Sequence, residues 1–451
     1  MTAVAQGVKP VFSQHAIRSG SGLTRLSWAM LAALAAGLLW GGWSWWGLRC
    51  YRRALAAIRT EMQVGRPGHA ARKLRDLLAW KPGSDEAAYL LGICEQARGR
   101  PQEAAAAWAQ VPPSSPFAAQ ALQGRMEQEV HRGRLAVAEK LVCDALEDPR
   151  IRGSGLTLVL GLIYSQQGRI EEAGRLIEET WERLGRAGEA TWDRAIPLVR
   201  LHIRLRRDPP PVAAIRAFLE QAARRAPDDD RVWLGKANLA IRAGSYDEAA
   251  RWLDACQRSR PEDVPVWEAR LSWAVATNQF EAVRQAAQHL SAGWATPARV
   301  ARLAAWMAAR RGDAEAERQA LERLVAADPT DHHAWDRLVE LAAKPGQTGR
   351  AADLRSRKAQ TERLQARYQV LDQRNQPIRD AAEMARLAEQ LGHRFEARAF
   401  LTVAVAADPQ RDDLRSDLAR LNRDGQTRIG QGRTLAEILA HEFDATPCQP
   451  R

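Results

Sequence analysis

Cysteine is scarce and unpatterned in this chain of 451 residues: Cys50, Cys94, Cys143, Cys256 and Cys448 are odd in number, far apart and never spaced as CxxC. That excludes a disulfide framework and a zinc ribbon as organising principles. Catalytic strings are missing too. No GxGxxG, GxxxxGKS/T, HExxH or GxSxG occurs, and the scattered histidines and cysteines offer no nucleophile–base pairing at readable spacing. Neither an enzyme nor a cofactor is expected. Asp331-His332-His333 with Asp336 is the one cluster of metal-ligand residue types; His332 and Asp336 share a helix face at i, i+4, but adjacent histidines point apart and two ligands do not make a site.

Acidic residues are absent from the first sixty positions, where Lys9, Arg18, Arg25, Arg49, Arg52, Arg53 and Arg59 contribute +7 of the net charge of +12. The remainder is nearly balanced, with 59 basic against 54 acidic residues. A balanced surface does not make the long phosphate footprint of a nucleic-acid binder, so nucleic acid is an unlikely partner. With 46% hydrophobic and 27% charged residues, the chain is neither disordered, collagen-like nor a multi-span membrane protein. Its length calls for several units or for an elongated, repeated core.

Between Arg25 and Arg49 lie 23 residues without a charge, LSWAMLAALAAGLLWGGWSWWGL, and about 20 suffice to span a bilayer as a helix. Trp40, Trp43, Trp45 and Trp46 crowd its end, where indoles favour the interface. Residues 26–48 are therefore expected to be a transmembrane anchor behind a basic tail, 1–25. A cleaved signal peptide is the competing reading, though its apolar stretch would be shorter and no small-x-small site follows the tryptophans. Three cationic side chains precede the span and four come soon after it. Arg49, Arg52 and Arg53 lie nearest and lean the body towards the cytoplasm, but both orientations stay open.

Beyond the anchor a pattern recurs with a period of 34. In residues 85–118, Leu91-Gly92, Gly99, Ala104, Trp108 and Pro116 take places 7, 8, 15, 20, 24 and 32. Residues 51–84 repeat it with Gly65, Ala70, Leu74 and Pro82; 154–187 with Leu160-Gly161, Tyr164, Gly168, Ala173 and Ile177; and 230–263 with Trp233, Gly244, Ala249, Leu253 and Pro261. Each period reads as two amphipathic helices too small to bury their apolar faces alone, so they must stack on neighbours. Glycines at place 15 (Gly65, Gly99, Gly133, Gly168, Gly244, Gly312, Gly346, Gly392) suit a left-handed turn. Alanines at place 20 (Ala104, Ala138, Ala173, Ala249, Ala351, Ala397) admit a close helix crossing. Prolines such as Pro82, Pro116, Pro227, Pro261, Pro329 and Pro409 end the second helix.

This pattern resembles the tetratricopeptide repeat, and the resemblance implies an all-α, right-handed solenoid of helical hairpins. About ten copies fit, beginning at residues 51, 85, 119, 154, 196, 230, 264, 298, 332 and 378 and covering 49–411, with insertions at 188–195 and 366–377. Asn278 stands in for the glycine and Val283 for the small alanine in the copy at 264; Arg355 and Lys358 replace apolar residues in the copy at 332, whose second helix should run on through ARYQVLDQRNQ to Pro377. Residues 412–451 are read as a capping helix and tail, with Leu435, Ile438, Leu439 and Phe443 sharing one helical face.

The resemblance further implies a groove lined by the first helix of each repeat, where an extended peptide or partner helix docks. On this sequence those places hold Arg200, Arg204, Arg207, Arg231, Asn238, Arg242, Arg299, Arg302 and Arg310. Guanidinium groups grip carboxylates in forked geometry, so an acidic segment of a protein or peptide is the expected ligand. Two functions fit: a membrane-anchored scaffold that recruits partners through its groove, or a structural subunit of an envelope assembly, secretion or export complex.

Overall fold

The computed structural model describes residues 45–148, 151, 154–291, 293–343, 348–424 and 434–440. The expected anchor, 26–48, lies outside these residues except for its last four; among the described residues no helix is long and apolar enough to cross a membrane. Gly346 and Phe443 lie outside them as well. The described chain is helical, and its β-type pairing is one isolated bridge between Ser291 and Thr434.

Two compact units divide the chain, residues 1–107 and 108–451. In the first, α1 (45–63), α2 (Pro67–Trp80), α3 (Asp85–Ala97) and α4 (Pro101–Trp108, all but its last residue) build a small core. Leu55, Ile58, Leu74, Ala87 and Leu91 close against one another there, and Ser84 caps α3 by accepting from the Ala87 amide at 3.2 Å.

The second unit continues the hairpins: α5 (Ala118–His131) with α6 (Leu135–Glu147), α7 (Ser154–Gln166) with α8 (Ile170–Arg186), α9 (Trp192–Arg207) with α10 (Val212–Arg225). Next come α11 (Asp230–Arg242) with α12 (Tyr246–Ser259), α13 (Val264–Ala276) with α14 (Phe280–His289), and α15 (Pro297–Arg311) with α16 (Ala314–Ala327). The last pairs are α17 (His332–Ala342) with α18 (Thr348–Arg374) and α19 (Ala381–Gln390) with α20 (Arg394–Ala407), before α21 (Asp412–Asp424) and the short α22 (Leu435–Ile438).

The local chemistry explains why helices break where they do. Every described place-15 glycine has a positive φ, between 70° and 78°, a region that costs glycine little. At the copy starting at 264, Asn278 takes the same role with φ 59°. The place-20 alanines are buried to within 3% of full enclosure, and Val283, the larger residue at that place, is equally enclosed. Trp233, Trp267 and Trp335 each donate their indole N–H to the carbonyl of the proline six residues earlier, Pro227, Pro261 and Pro329, at 2.7–2.8 Å. One bond thus clamps the turn between successive hairpins in three places.

The expected long helix is present as α18, 27 residues ending at Arg374, where Asn375 turns left-handed with φ 58°. Although charged along its length, it buries Tyr368 and Leu371. Its run positions α19 and α20 against helices laid down much earlier. Phe395 on α20 meets Trp181 of α8 and His202 of α9 edge-on, with ring centroids 6.2 and 4.9 Å apart. Consequently Phe395, Ala397, Ala399, Phe400, Leu401 and Val403 are all buried, and α20 has little solvent face left. The Leu435 stretch is also used internally: Leu435 and Leu439 are buried with α14 residues, and the Leu435 amide donates to the Leu290 carbonyl at 2.8 Å.

Candidate partner-binding surface

The nine residues expected in one groove meet three different fates. Arg200, Arg204 and Arg207 come together, because spacings of four and three put them on one side of α9. With Ile203, Asp208, Asp372 and Asn375 they line a cavity of about 270 Å³. Arg207 pairs with its neighbour Asp208 and with Asp372 at the end of α18, while Arg200 donates to the Asn375 side chain. Arg204 is exposed and, among the described residues, has no ion pair.

A second set is turned to the chain's own carboxylates. Arg231 is only 5% exposed, paired with Asp263 and 3.1 Å from Glu139 of α6, so it is a buried strut and takes no part in an open strip. Arg169, at the turn into α8, lies against the same Glu139 at 2.6 Å and against Glu172 at 2.6 Å, with its guanidinium 4.1 Å from the centre of the Tyr164 ring. Burial works against the Glu139 charge, but Arg169 and Arg231 outweigh it and hold its carboxyl below the usual range. Asn238 sits beside Gly168, where an added Cβ would lie 3.9 Å away. Arg299 pairs with Glu171 of α8 at 2.8 Å and Arg175 of α8 pairs with Glu268 of α13. The inner positions of α11, α13 and α15 therefore face α8 and the turn before it.

The third set lies apart. Arg302 pairs with Asp331 at 3.0 Å and Asp328 at 3.4 Å, Arg310 rests over the Trp306 ring at 5.9 Å, and Arg242 is exposed at the end of α11. The nine residues thus fall into three groups, with α8 and the α18 end approaching two of them from elsewhere in the chain. Asp331 caps α17 through the Ala334 amide, and Asp336 pairs with Lys358, so both carboxylates near His332 have structural partners. Among the described residues no group of three or more His, Cys, Asp or Glu is placed to hold a metal ion.

Sequence periodicity gave no notice of the polar centre between α9, α18 and α20. Glu396 is fully buried; it accepts from Tyr368 Oη at 2.6 Å, lies 2.9 Å from His202 Nδ1, and receives Arg206 at 3.2 Å. Burial opposes both charges, yet the hydrogen bond and the nearby cations pull the Glu396 carboxyl down to about 2, and Glu178 and Glu396 push His202 up to about 9. The signal available was Glu396 itself, an acidic residue directly before the place-20 alanine in a helix that is mostly apolar.

The sequence profile of the tetratricopeptide repeat matches residues 61–126 and 212–271. No curated protein matches the chain. Among solved structures, PilF of Pseudomonas aeruginosa is 21% identical over 48% of this chain and 95% of its own, with a TM-score of 0.27. The APC/C hetero-tetramer Cut9–Hcn1 is 13% identical over 86% of each chain, with a TM-score of 0.29, and yeast Tom70 is 10% identical over 88% of this chain and 99% of its own, with a TM-score of 0.26. All three likenesses are loose. Over these two matched stretches the profile and the helix pairs with their glycine turns agree, and the resemblance to the tetratricopeptide repeat extends that far.

Proposed function

We propose that this protein is a non-catalytic, membrane-tethered scaffold that holds a partner protein on its repeat helices. The observation that carries the binding half is the open side of α9, where three guanidinium groups flank a cavity and Arg204 has no ion-pair partner among the described residues. Repeat hairpins of this kind are a framework for protein–protein contact, and arginine suits an acidic segment because its planar fork matches a carboxylate. The tether rests on the charge-free run 26–48 and on the side chains at its end. Trp45, Trp46 and Leu48 are 61%, 62% and 43% exposed at the start of α1, and Arg49 lies over the Trp45 ring at 5.1 Å. Exposed indoles beside arginine suit a headgroup layer.

Carbonate extraction tests the tether: the full chain should stay with membranes and a chain lacking residues 26–48 should be released. The binding half is tested by purifying both the wild-type chain and an Arg200→Glu/Arg204→Glu double variant from detergent-solubilised membranes, with quantitative mass spectrometry of the proteins that accompany them. A defined set of proteins should be lost from a folded variant. Retention of every one of them would move recognition away from α9.

A further inference from the structure

The α9 cavity already holds a carboxylate. Asp372 in the last turn of α18 reaches Arg207 and Asn375 just past it reaches Arg200, so two of the three arginines are engaged by one short stretch of the same chain. Asp372 is half-buried, with 20% of its side chain exposed, whereas Arg204 remains open on the same wall. The stretch lies in the insertion at 366–377, the longer of the two insertions between copies of the repeat. Asn375 ends α18 in the left-handed region, and Leu371, 1% exposed, fixes the helix end in the core, so Asp372 is presented from a rigid base.

We propose that the Asp372–Asn375 stretch is an internal stand-in for an acidic partner peptide, competing with it for the α9 arginines while Arg204 supplies the partner's first contact. The proposal rests on the protein-binding reading of this face and adds its ligand chemistry and its self-competition. Charge supports a carboxylate as the occupant. The cavity wall carries Arg200, Arg204 and Arg207 against Asp208 and Asp372, so it remains cationic with the stand-in seated and becomes more so without it. Exposed pairs of the Arg207–Asp372 kind are worth little individually, so an incoming peptide with several carboxylates is able to displace one aspartate.

The test uses the full chain in detergent micelles and fluorescence anisotropy with fluorescein-labelled octaglutamate. Octaglutamine and a labelled octathymidylate serve as comparisons, at low and at moderate salt. Asp372→Asn should tighten octaglutamate about two- to five-fold, the equilibrium equivalent of an exposed ion pair. Arg204→Gln should weaken it by about tenfold or more, the scale of a charge-assisted hydrogen bond, and Arg204→Lys should recover part of the loss. Because Arg204 is exposed and, among the described residues, outside any ion pair, its variants should keep the wild-type circular dichroism and unfolding temperature. Unchanged affinity in Arg204→Gln overturns the site, and unchanged or weaker affinity in Asp372→Asn overturns the stand-in. Tighter binding of octathymidylate than of octaglutamate reassigns the face to phosphates. If no variant binds octaglutamate at all, this inference fails, while loss of membrane partners from the Arg200→Glu/Arg204→Glu chain would still leave the scaffold standing.

Discussion

Two glycines with the same backbone conformation should respond differently to the same substitution. Gly244 and Gly392 have φ of 74° and 78°, but a Cβ on Gly244 would meet nothing within 4 Å, whereas one on Gly392 would lie 2.9 Å from the Ala327 carbonyl oxygen and 2.8 Å from Pro329 Cδ. Gly244→Ala should therefore cost about 1 kcal/mol, the left-handed penalty alone, and Gly392→Ala distinctly more, as read by chemical denaturation. Ala249, fully buried, gives the packing counterpart: Ala249→Leu should destabilise by roughly 1–3 kcal/mol through overpacking. These residues were legible in the sequence because backbone sterics and close crossings recur every 34 positions. Arg231 was legible as to place but not as to burial. Its partner Glu139 comes from a hairpin almost a hundred residues earlier, and periodicity carries no information about pairings of that range.

At the scale of the helix, the clamp between hairpins is an indole reaching a proline carbonyl. Trp267→Phe keeps most of the ring but deletes the 2.7 Å bond to the Pro261 oxygen, and should lower stability by about 1 kcal/mol in thermal unfolding; a neutral result would mean that water replaces the donor freely. The ring also stacks on His289 at 3.8 Å with planes 2° apart, a contact the phenyl group only partly replaces. The length of α18 was legible in the sequence, but its charges gave no sign of which turns would be covered. In the structure its later turns bury Tyr368 and Leu371, because α19 and α20 fold back over them and need only two apolar anchors.

On the scale of the whole second unit, the polar centre around Glu396 decides how the last hairpin is held, and it makes stability depend on pH in a definite sense. His202 titrates near 9 when folded against an ordinary 6.5, so its contribution is complete below pH 6.5 and is lost as pH rises through 9. Glu396 titrates near 2 against an ordinary 4.5, so its contribution is complete above pH 4.5 and is lost as pH falls towards 2. Thermal stability should thus plateau between these limits and decline on the alkaline side, and His202→Gln should flatten that decline. Glu396→Ala, which leaves Arg206 without its anion and His202 with Glu178 alone, should cost about 3–5 kcal/mol.

That hairpin also sets a schedule for synthesis. Glu396 comes 194 residues after His202, which at roughly 5–20 residues per second is a wait on the order of ten to forty seconds on the ribosome. Throughout that interval α9 is complete while the helix that covers its histidine and arginine does not yet exist. The seat is filled by whichever α20 arrives first. Neighbouring nascent chains on one message offer identical copies, so exchange of α19–α20 between them is the misassembly that this order of helices invites.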